Sequence, residues 1–273
     1  MGTLYCDLFP REGKYSHAAV WGLIEGYFDN QQILPVAVLV CNFPENPSLL
    51  SQYDVETLFH EFGHGIHSIC CGYKSKYVEF GFERVVTDFI ETPSQIIELW
   101  LRNPEIIKQI SSHYKTGHKL PDDIIRNLID INCSGILAND WIRTCSMAYY
   151  DQQIYTTWFN QQDQSLIQYF ETIMTNYCPI LYNKSTFINR WDHLGSDNYS
   201  GTYYSYVWSM IIATYLFSLF KQSDNILDSI LGRKYRTIIL ESGNNKDADE
   251  LVEEFLGRPY SIEPFIKENI ICI

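Results

Sequence analysis

The chain has 273 residues, of which 46% are hydrophobic, and a domain of this length buries about 70 to 75% of the surface that its unfolded chain exposes. Its 33 Asp and Glu residues outnumber its 20 Lys and Arg residues, and the net charge of −13 opposes general affinity for nucleic acid or anionic lipid. The composition therefore predicts a globular protein without a nucleic-acid partner.

The N-terminal stretch MGTLYCDLFPREGKYSHAAV lacks the basic region followed by an apolar region that marks a secretory signal. The eight cysteines are scattered without a CxxC pair, so we expect reduced core thiols of a cytosolic protein. These features predict a cytoplasmic location, and a mitochondrial location would require a longer precursor.

Residues 3–9, 17–28 and 32–43 are rich in β-branched and aromatic side chains and are separated by turn-forming stretches. They predict two or three strands of a small, mostly antiparallel sheet, with Pro35 at the start of the last strand. The following pattern is helical, with Asp54 as the expected N-cap of the first helix and Gly72 as its C′ residue.

Further helices are expected at residues 92–102, 104–115, 121–157, 163–176, 201–221, 224–240 and 246–256. Residues 198–220 carry no formal charge but are rich in Tyr, Ser, Thr and Gly, which favours a buried helix over a membrane span. We therefore predict one mainly α domain over residues 1–273, an α+β fold in which a small N-terminal antiparallel sheet precedes a helical bundle.

The segment TLFHEFGHGIHSICCG, residues 57–72, contains a metal-binding pattern. Residues four apart share a helix face, so His60 and His64 can direct ring nitrogens at one ion, and Glu61 can act as a general base beside it. The alternative is a core helix with two satisfied histidines. The motif favours zinc, whose catalytic sites use three protein ligands.

The third ligand must come from elsewhere in the chain. A metzincin is excluded because His67 and Cys70 occupy the positions where that class requires Gly and His. His67 lies one turn beyond His64, and we expect it to pack or to support the site rather than to bind metal.

A better candidate lies in RVVTDFIETPSQIIELW, residues 84–100. Thr92 and Pro93 read as the N-cap and first residue of a new helix, which places Glu91 at its entrance; alternatively, Pro93 kinks one continuous helix. In the continuous case, polar residues share one face: Asp88, Glu91, Gln95 and Glu98. The many apolar neighbours indicate burial, and a buried carboxylate needs a partner such as a metal ion.

Tyrosines recur in WDHLGSDNYSGTYYSYVW, residues 191–208. Tyr199, Tyr203 and Tyr206 have the spacing of one helical face, which by itself favours an aromatic core stripe. A Tyr hydroxyl or a His N–H can also stabilise an oxyanion, so His193 and the tyrosines are alternatives to a purely structural cluster.

Five segments together resemble the thimet oligopeptidase, neurolysin and dipeptidyl carboxypeptidase group of zinc metallopeptidases. They are DLFPREGKYSHAA, ETLFHEFGHGIH, TDFIETPSQIIELW, YYSYVW and FLGRP. The resemblance implies a gluzincin-like catalytic domain that hydrolyses peptide bonds in short peptides, as an oligopeptidase and a metalloendopeptidase. It implies one Zn²⁺ per chain on His60, His64 and Glu91, with Glu61 activating the zinc-bound water.

The resemblance also implies roles in substrate binding and transition-state stabilisation for His193, Tyr199 and Tyr206, and next for Tyr203. This chain has GSDNY where the family usually carries a glycine pair, so Asp197 and Asn198 occupy a loop that glycine would leave freer.

Family enzymes are much longer and have a second helical lobe, so the chain is expected to correspond to their C-terminal catalytic portion, with the N-terminal lobe absent. We expect a monomer without a membrane partner, whose last strand, residues 36–43, pairs with extended peptide substrate. The alternative is a zinc-binding fragment that is inactive without the missing lobe and serves as a structural or interaction module.

Overall fold

The computed structural model describes residues 1–45, 48–72, 75–132, 135–158, 164–178, 187–196 and 199–269. Cys133, Asp197, Asn198 and Cys272 lie outside these ranges. The strands are β1 Thr3–Asp7, β2 Ala19–Ile24, β3 Tyr27–Asp29, β4 Gln31–Ile33 and β5 Val36–Val40. The α-helices are α1 Gln52–Cys70, α2 Thr87–Ile90, α3 Thr92–Leu99, α4 Pro104–Ile110, α5 Asp122–Asn132, α6 Gly135–Thr156, α7 Leu166–Tyr177, α8 Ser205–Gln222, α9 Ser229–Tyr235, α10 Ala248–Leu256 and α11 Glu263–Asn269.

The mainly helical fold with a small N-terminal sheet agrees with the prediction, but the sheet is mixed. Its order is β1-β5-β2, with β2 antiparallel and β1 parallel to the central β5, while β3 and β4 form a separate antiparallel pair. The chain reverses between β1 and β2 and again between β2 and β5, so β1 and β5 run in the same direction. Both edges of β5 are therefore paired over Val36–Val40, and the expectation that this strand pairs with substrate is wrong. The outer edges of this sheet belong to β1 and β2.

The N-cap of helix α1 lies three residues before the expected N-cap, Asp54. Ser51 is the N-cap, and it exchanges hydrogen bonds with Asp54, which occupies the third helical position of a capping box. At the other end Gly72 follows the C-cap with a φ of +73°, the left-handed backbone that glycine adopts at low cost. The predicted stop of α1 is correct.

Two hydrophobic cores support the molecule. The larger core joins α3, α8 and α10 and is built around Ile96, Leu216 and Phe255, all fully buried. The second core lies between α6 and α7 and includes Tyr150 and Trp191. A third, smaller cluster fixes the inner face of the sheet against α1. Thus α1 and α3 are held by the sheet and the larger core, whereas α6 packs on the second core and reaches the larger one through Trp141.

Several local predictions need correction. The helix expected over residues 201–221 begins at Ser205, the one expected over 104–115 ends at Ile110, and α11 was not predicted. Among the described cysteines, which form no disulfide, Cys6 and Cys145 are exposed rather than buried. Within the described residues we find no helix with the length and apolar character needed to cross a bilayer.

Candidate metal centre

Helices α1 and α3 pack against each other at very short range. Gly63, between the two histidines of the HEFGH motif, makes this possible: a Cβ at this position would lie 2.5 Å from Ser94 Cα and 2.6 Å from the carbonyl oxygen of Pro93. The glycine thus brings the start of α3, and with it Glu91, directly onto the histidine-bearing face of α1.

Three side-chain atoms converge across this contact. His64 Nε2 lies 3.2 Å from His60 Nε2 and 3.1 Å from Glu91 Oε2, and His60 Nε2 lies 3.2 Å from the same carboxylate oxygen. Glu91 is 3% exposed, while the histidine side chains are 24% and 12% exposed. The structure therefore brings the predicted ligands into one small triangle that is open on its histidine side.

The donor set suits zinc. A tetrahedral zinc ion with bonds of about 2.1 Å keeps its ligand atoms about 3.4 Å apart, close to the observed separations. Two imidazole nitrogens and one carboxylate oxygen are the donors that catalytic zinc sites use. Among the described residues, this is the group of three that could hold a metal ion.

Glu98 contacts His60 through the ring nitrogen that does not belong to the triangle. Its Oε1 lies 2.5 Å from His60 Nδ1, so that the carboxylate fixes the tautomer whose Nε2 faces the ligand triangle. Burial opposes a charge on His60, but the hydrogen bonds that Glu91 and Glu98 accept from the ring outweigh this effect and raise the pKa of the imidazole well above its usual value. Glu98 belongs to the polar face predicted for residues 88–98, and it shares that face with Glu91.

Glu91 is held as a carboxylate. Burial raises its pKa, but the charge of His64 and the hydrogen bonds of both histidines lower it well below the usual value. Ser94 Oγ donates to Glu91 Oε2 at 3.1 Å. The structure makes Glu91 the N-cap of α3 with right-handed backbone angles, so the expected N-cap at Thr92 is wrong, while the expected position of Glu91 at the helix entrance is correct.

Glu61 faces the same opening without binding the triangle. It is 7% exposed, and its Oε2 has no hydrogen-bond partner among the described residues. Burial raises the pKa of this carboxyl, and the nearby histidines oppose the shift. A desolvated carboxylate with a raised pKa is suited to accept a proton near neutral pH.

His67 lies outside the ligand triangle. It is 1% exposed, and its ring packs edge-on against Phe82 at 5.3 Å between ring centroids. Burial lowers the pKa of His67 to about 3, so the ring is neutral at pH 7. The structure gives this residue the packing role rather than that of a ligand.

The tyrosine cluster faces Glu91. Tyr199 Oη donates a hydrogen bond to Glu91 Oε1 at 3.2 Å, and the ring of Tyr199 stacks on that of Tyr206 with an interplanar angle of 9°. Tyr206 Oη lies 3.2 Å from His193 Nε2. Tyr203 completes the cluster, with its ring 5.5 Å from His193 and 5.2 Å from Tyr206.

The predicted helical face is wrong for the first two tyrosines. Tyr199 and Tyr203 precede α8 and lie in turns around Gly201, whose φ is +73°. The turn, rather than a helix, brings their rings beside Tyr206. The site therefore has two walls, a helical one that carries the metal ligands and a turn that carries hydroxyl groups.

The model of Peptidase family M3 matches residues 1–271. Saccharolysin of Saccharomyces cerevisiae is 36% identical over 98% of this chain, and the thimet-like oligopeptidase of Dictyostelium discoideum is 35% identical over 98%. The match spans only 38% and 40% of those two proteins, so the chain has about two fifths of their length.

A likeness to solved structures supports the fold alone. A structure titled PZ peptidase A with inhibitor 2 superposes with a TM-score of 0.62 at 17% identity, over 95% of this chain and 40% of that one. Trypanosoma cruzi metallocarboxypeptidase 1 gives a TM-score of 0.67 at 13% identity, over 99% and 55%. The family match and the two identities above 30% confirm the resemblance inferred from the motifs: the chain belongs to peptidase family M3.

Proposed function

We propose that the chain is a zinc-dependent oligopeptidase that hydrolyses peptide bonds within short peptides. The observation that carries the proposal is the triangle formed by His60 Nε2, His64 Nε2 and Glu91 Oε2, which an unpartnered Glu61 carboxylate adjoins. A zinc ion held there would acidify a water molecule and polarise a peptide carbonyl.

Glu61 acts as the proton carrier in this proposal. Its Oε2 accepts the proton of the attacking water and then delivers it to the nitrogen of the leaving amine. Burial raises the pKa of the carboxyl and so makes it a stronger base than an exposed glutamate, while its charge remains favoured by the neighbouring histidines.

The tyrosine cluster stabilises the oxyanion that develops on the attacked carbonyl. Burial raises the pKa of Tyr199 and Tyr206, so both hydroxyls keep their protons and can donate at neutral pH. Burial lowers the pKa of His193, and the neutral ring next to Tyr206 Oη adds a further donor or acceptor. Tyr203 packs against both rings and helps to shape the wall.

The substrate class follows from the names of the relatives, saccharolysin and thimet-like oligopeptidase. Extended peptide would pair with an outer edge of the sheet, β1 or β2, because β5 is occupied on both sides. A cytoplasmic location and a monomeric state belong to the same proposal. Fractionation of cells and light scattering on the purified chain would test them.

The decisive experiment is metal analysis paired with turnover of a quenched-fluorescent peptide. The expected result is one zinc per chain and cleavage that a chelator abolishes and added zinc restores. Glu61→Gln should keep the zinc and lose turnover by about 100-fold to 10,000-fold, the range of general acid–base catalysis. The matched control is Glu56→Gln, since Glu56 lies on the same helix and accepts a hydrogen bond from Gln52 instead.

Two other results would decide against the proposal. Zinc at one per chain without turnover would favour the inactive fragment, which is the alternative that the shortened length motivates. Absence of bound zinc would overturn both hypotheses.

A further inference from the structure

Asp151 is a fully buried carboxylate on α6, away from the ligand triangle. It is 0% exposed, and its two oxygens accept two backbone hydrogen bonds: Oδ1 from the N–H of Gly201 and Oδ2 from the N–H of Tyr203, each at 3.0 Å. Taking a carboxylate out of water is costly unless such bonds compensate. Both of its visible partners belong to the turn that precedes α8.

The neighbouring residues of α6 hold the same turn. Gln152 Nε2 donates to the carbonyl oxygen of Gly201, and Tyr155 Oη donates to that of Leu194 at 2.6 Å. Ser200 Oγ adds a hydrogen bond to the Leu194 carbonyl at 3.1 Å. Side chains on α6 therefore form hydrogen bonds with the backbone on both sides of Tyr199.

These hydrogen bonds from α6 matter because the backbone of residues 199–203 is not part of a helix. Gly201 has a φ of +73°, and Tyr199 and Tyr203 lie outside α8. Backbone hydrogen bonds within the turn fix part of it, but the N–H groups of Gly201 and Tyr203 donate to Asp151, so a side chain of another element sets the backbone on the C-terminal side of Tyr199. Tyr199 is the side chain that reaches Glu91 from this turn.

We infer that Asp151 is a positioning residue, which fixes the turn at residues 199–203 so that the Tyr199 hydroxyl stays against Glu91 and the Tyr199 ring stays stacked on that of Tyr206. The inference rests on the proposed function for its kinetic consequence, but not for its structural one. Asp151 touches neither the ligand triangle nor the Tyr199 ring in the contacts described, and its effect passes through the two N–H groups.

Asp151→Asn tests this with little change in shape. An amide offers one oxygen, so the NH₂ group must face one of the two backbone N–H donors. We expect unchanged zinc content, a KM within about twofold and a kcat at least about tenfold lower, since small misplacements of catalytic groups have effects of this size. Gln152→Ala should act in the same direction and serves if the Asn variant does not fold.

A background without the two hydroxyls separates positioning from general stability. In Tyr199→Phe/Tyr206→Phe, Asp151→Asn should lower kcat by less than about twofold, because residues that act as a unit are not additive. An equal loss of kcat in both backgrounds would overturn the inference.

A spectroscopic readout decides the point without turnover. In protein labelled with 3-fluorotyrosine, the ¹⁹F resonance that Tyr199→Phe removes should shift or broaden in Asp151→Asn. The matched control is Tyr150→Phe, which loses a buried hydrogen bond of the adjacent α6 residue to the Leu166 carbonyl and should leave that resonance in place. An unmoved resonance in Asp151→Asn would contradict the inference, whereas an inactive wild-type chain would contradict only the proposed function.

Discussion

The two walls of the site are built by different means. The ligand wall consists of α1 and α3, whose side-chain directions follow from helical geometry and whose spacing follows from the glycine at position 63. The tyrosine wall consists of the start of α8 and the turn before it, and the turn donates hydrogen bonds to Asp151 of α6, about 50 residues earlier in the chain. The comparison teaches that the proposed ligands take their directions from helical geometry, whereas the turn that carries Tyr199 depends on side-chain contacts from a distant helix.

Because the two walls are built differently, we expect metal affinity and turnover to respond to different mutations. Changes in the ligand wall should alter metal affinity, and changes in the tyrosine wall should alter turnover at full metal occupancy.

The largest effect is expected for Glu91→Ala. It removes one of three proposed ligands, so zinc affinity should fall by more than the roughly 100-fold that loss of a supporting partner causes. Competition with a chromogenic chelator measures this. Asp88→Asn is the control, because Asp88 accepts a hydrogen bond from Tyr204 and not from the histidines. Equal zinc affinity in Glu91→Ala and wild type would assign the third ligand elsewhere.

Tyr206→Phe should spare the metal and reduce kcat. Loss of one oxyanion donor typically lowers kcat by about 100-fold to 1000-fold. Steady-state kinetics with metal analysis on the same sample checks both parts. Tyr204→Phe provides the comparison, since the Tyr204 hydroxyl bonds Asp88 outside the cluster. A loss of zinc in Tyr206→Phe would show that the two walls are not separable.

Glu98→Ala should have an intermediate effect on the metal. The carboxylate orients His60 through Nδ1, and removal of such a partner lowers metal affinity by about 10-fold to 100-fold. The chelator competition used for Glu91→Ala measures it, with the exposed Glu105→Ala as control. An affinity equal to that of wild type would mean that α1 alone fixes the imidazole.

The smallest effect concerns stability and pH. The pKa of His67 is lowered from 6.5 to about 3 in the fold, so the unfolded chain binds the extra proton between these values. Stability from the neutral ring is complete above pH 6.5 and is lost as pH falls, by about 1.4 kcal/mol per pH unit.

Urea unfolding of the metal-free protein at pH 6.5 and 5.5 measures this slope. His67→Leu removes the titrating ring, so its free energy of unfolding should fall by about 1 kcal/mol less than that of the wild type between these two pH values, since the unfolded ring is already half protonated at pH 6.5. Identical slopes for the two proteins would mean that the pKa of His67 is not lowered in the folded protein.

The sequence predicts the ligand wall better than the tyrosine wall, for physical reasons. Helix periodicity is local, so the shared face of His60 and His64 and the stop at Gly72 are readable from a short segment. The choice of Glu91 as the third ligand required the family resemblance, because the residues alone left other carboxylates of the same face, Asp88 and Glu98, open. The turn at Gly201 and the buried Asp151 were not predictable, since neither has a local signal that distinguishes it from a helix interior.

Strand pairing failed for a related reason. The pattern of residues 3–43 identified the strands, but a parallel partner is chosen by the path of the whole chain, and β1 joined β5 rather than its sequence neighbour. The consequence is that β5 is enclosed by two strands and that the outer edges of the sheet are those of β1 and β2.

Gly63 also sets the spacing of the proposed ligands. The contact of α1 with α3 at this residue sets the distance from two imidazoles to the Glu91 carboxylate, so this distance is determined by backbone contact and not by side-chain length. A methyl group added at position 63 would lie 2.5 Å from Ser94 Cα and push the two helices apart, which would draw the carboxylate away from both histidines.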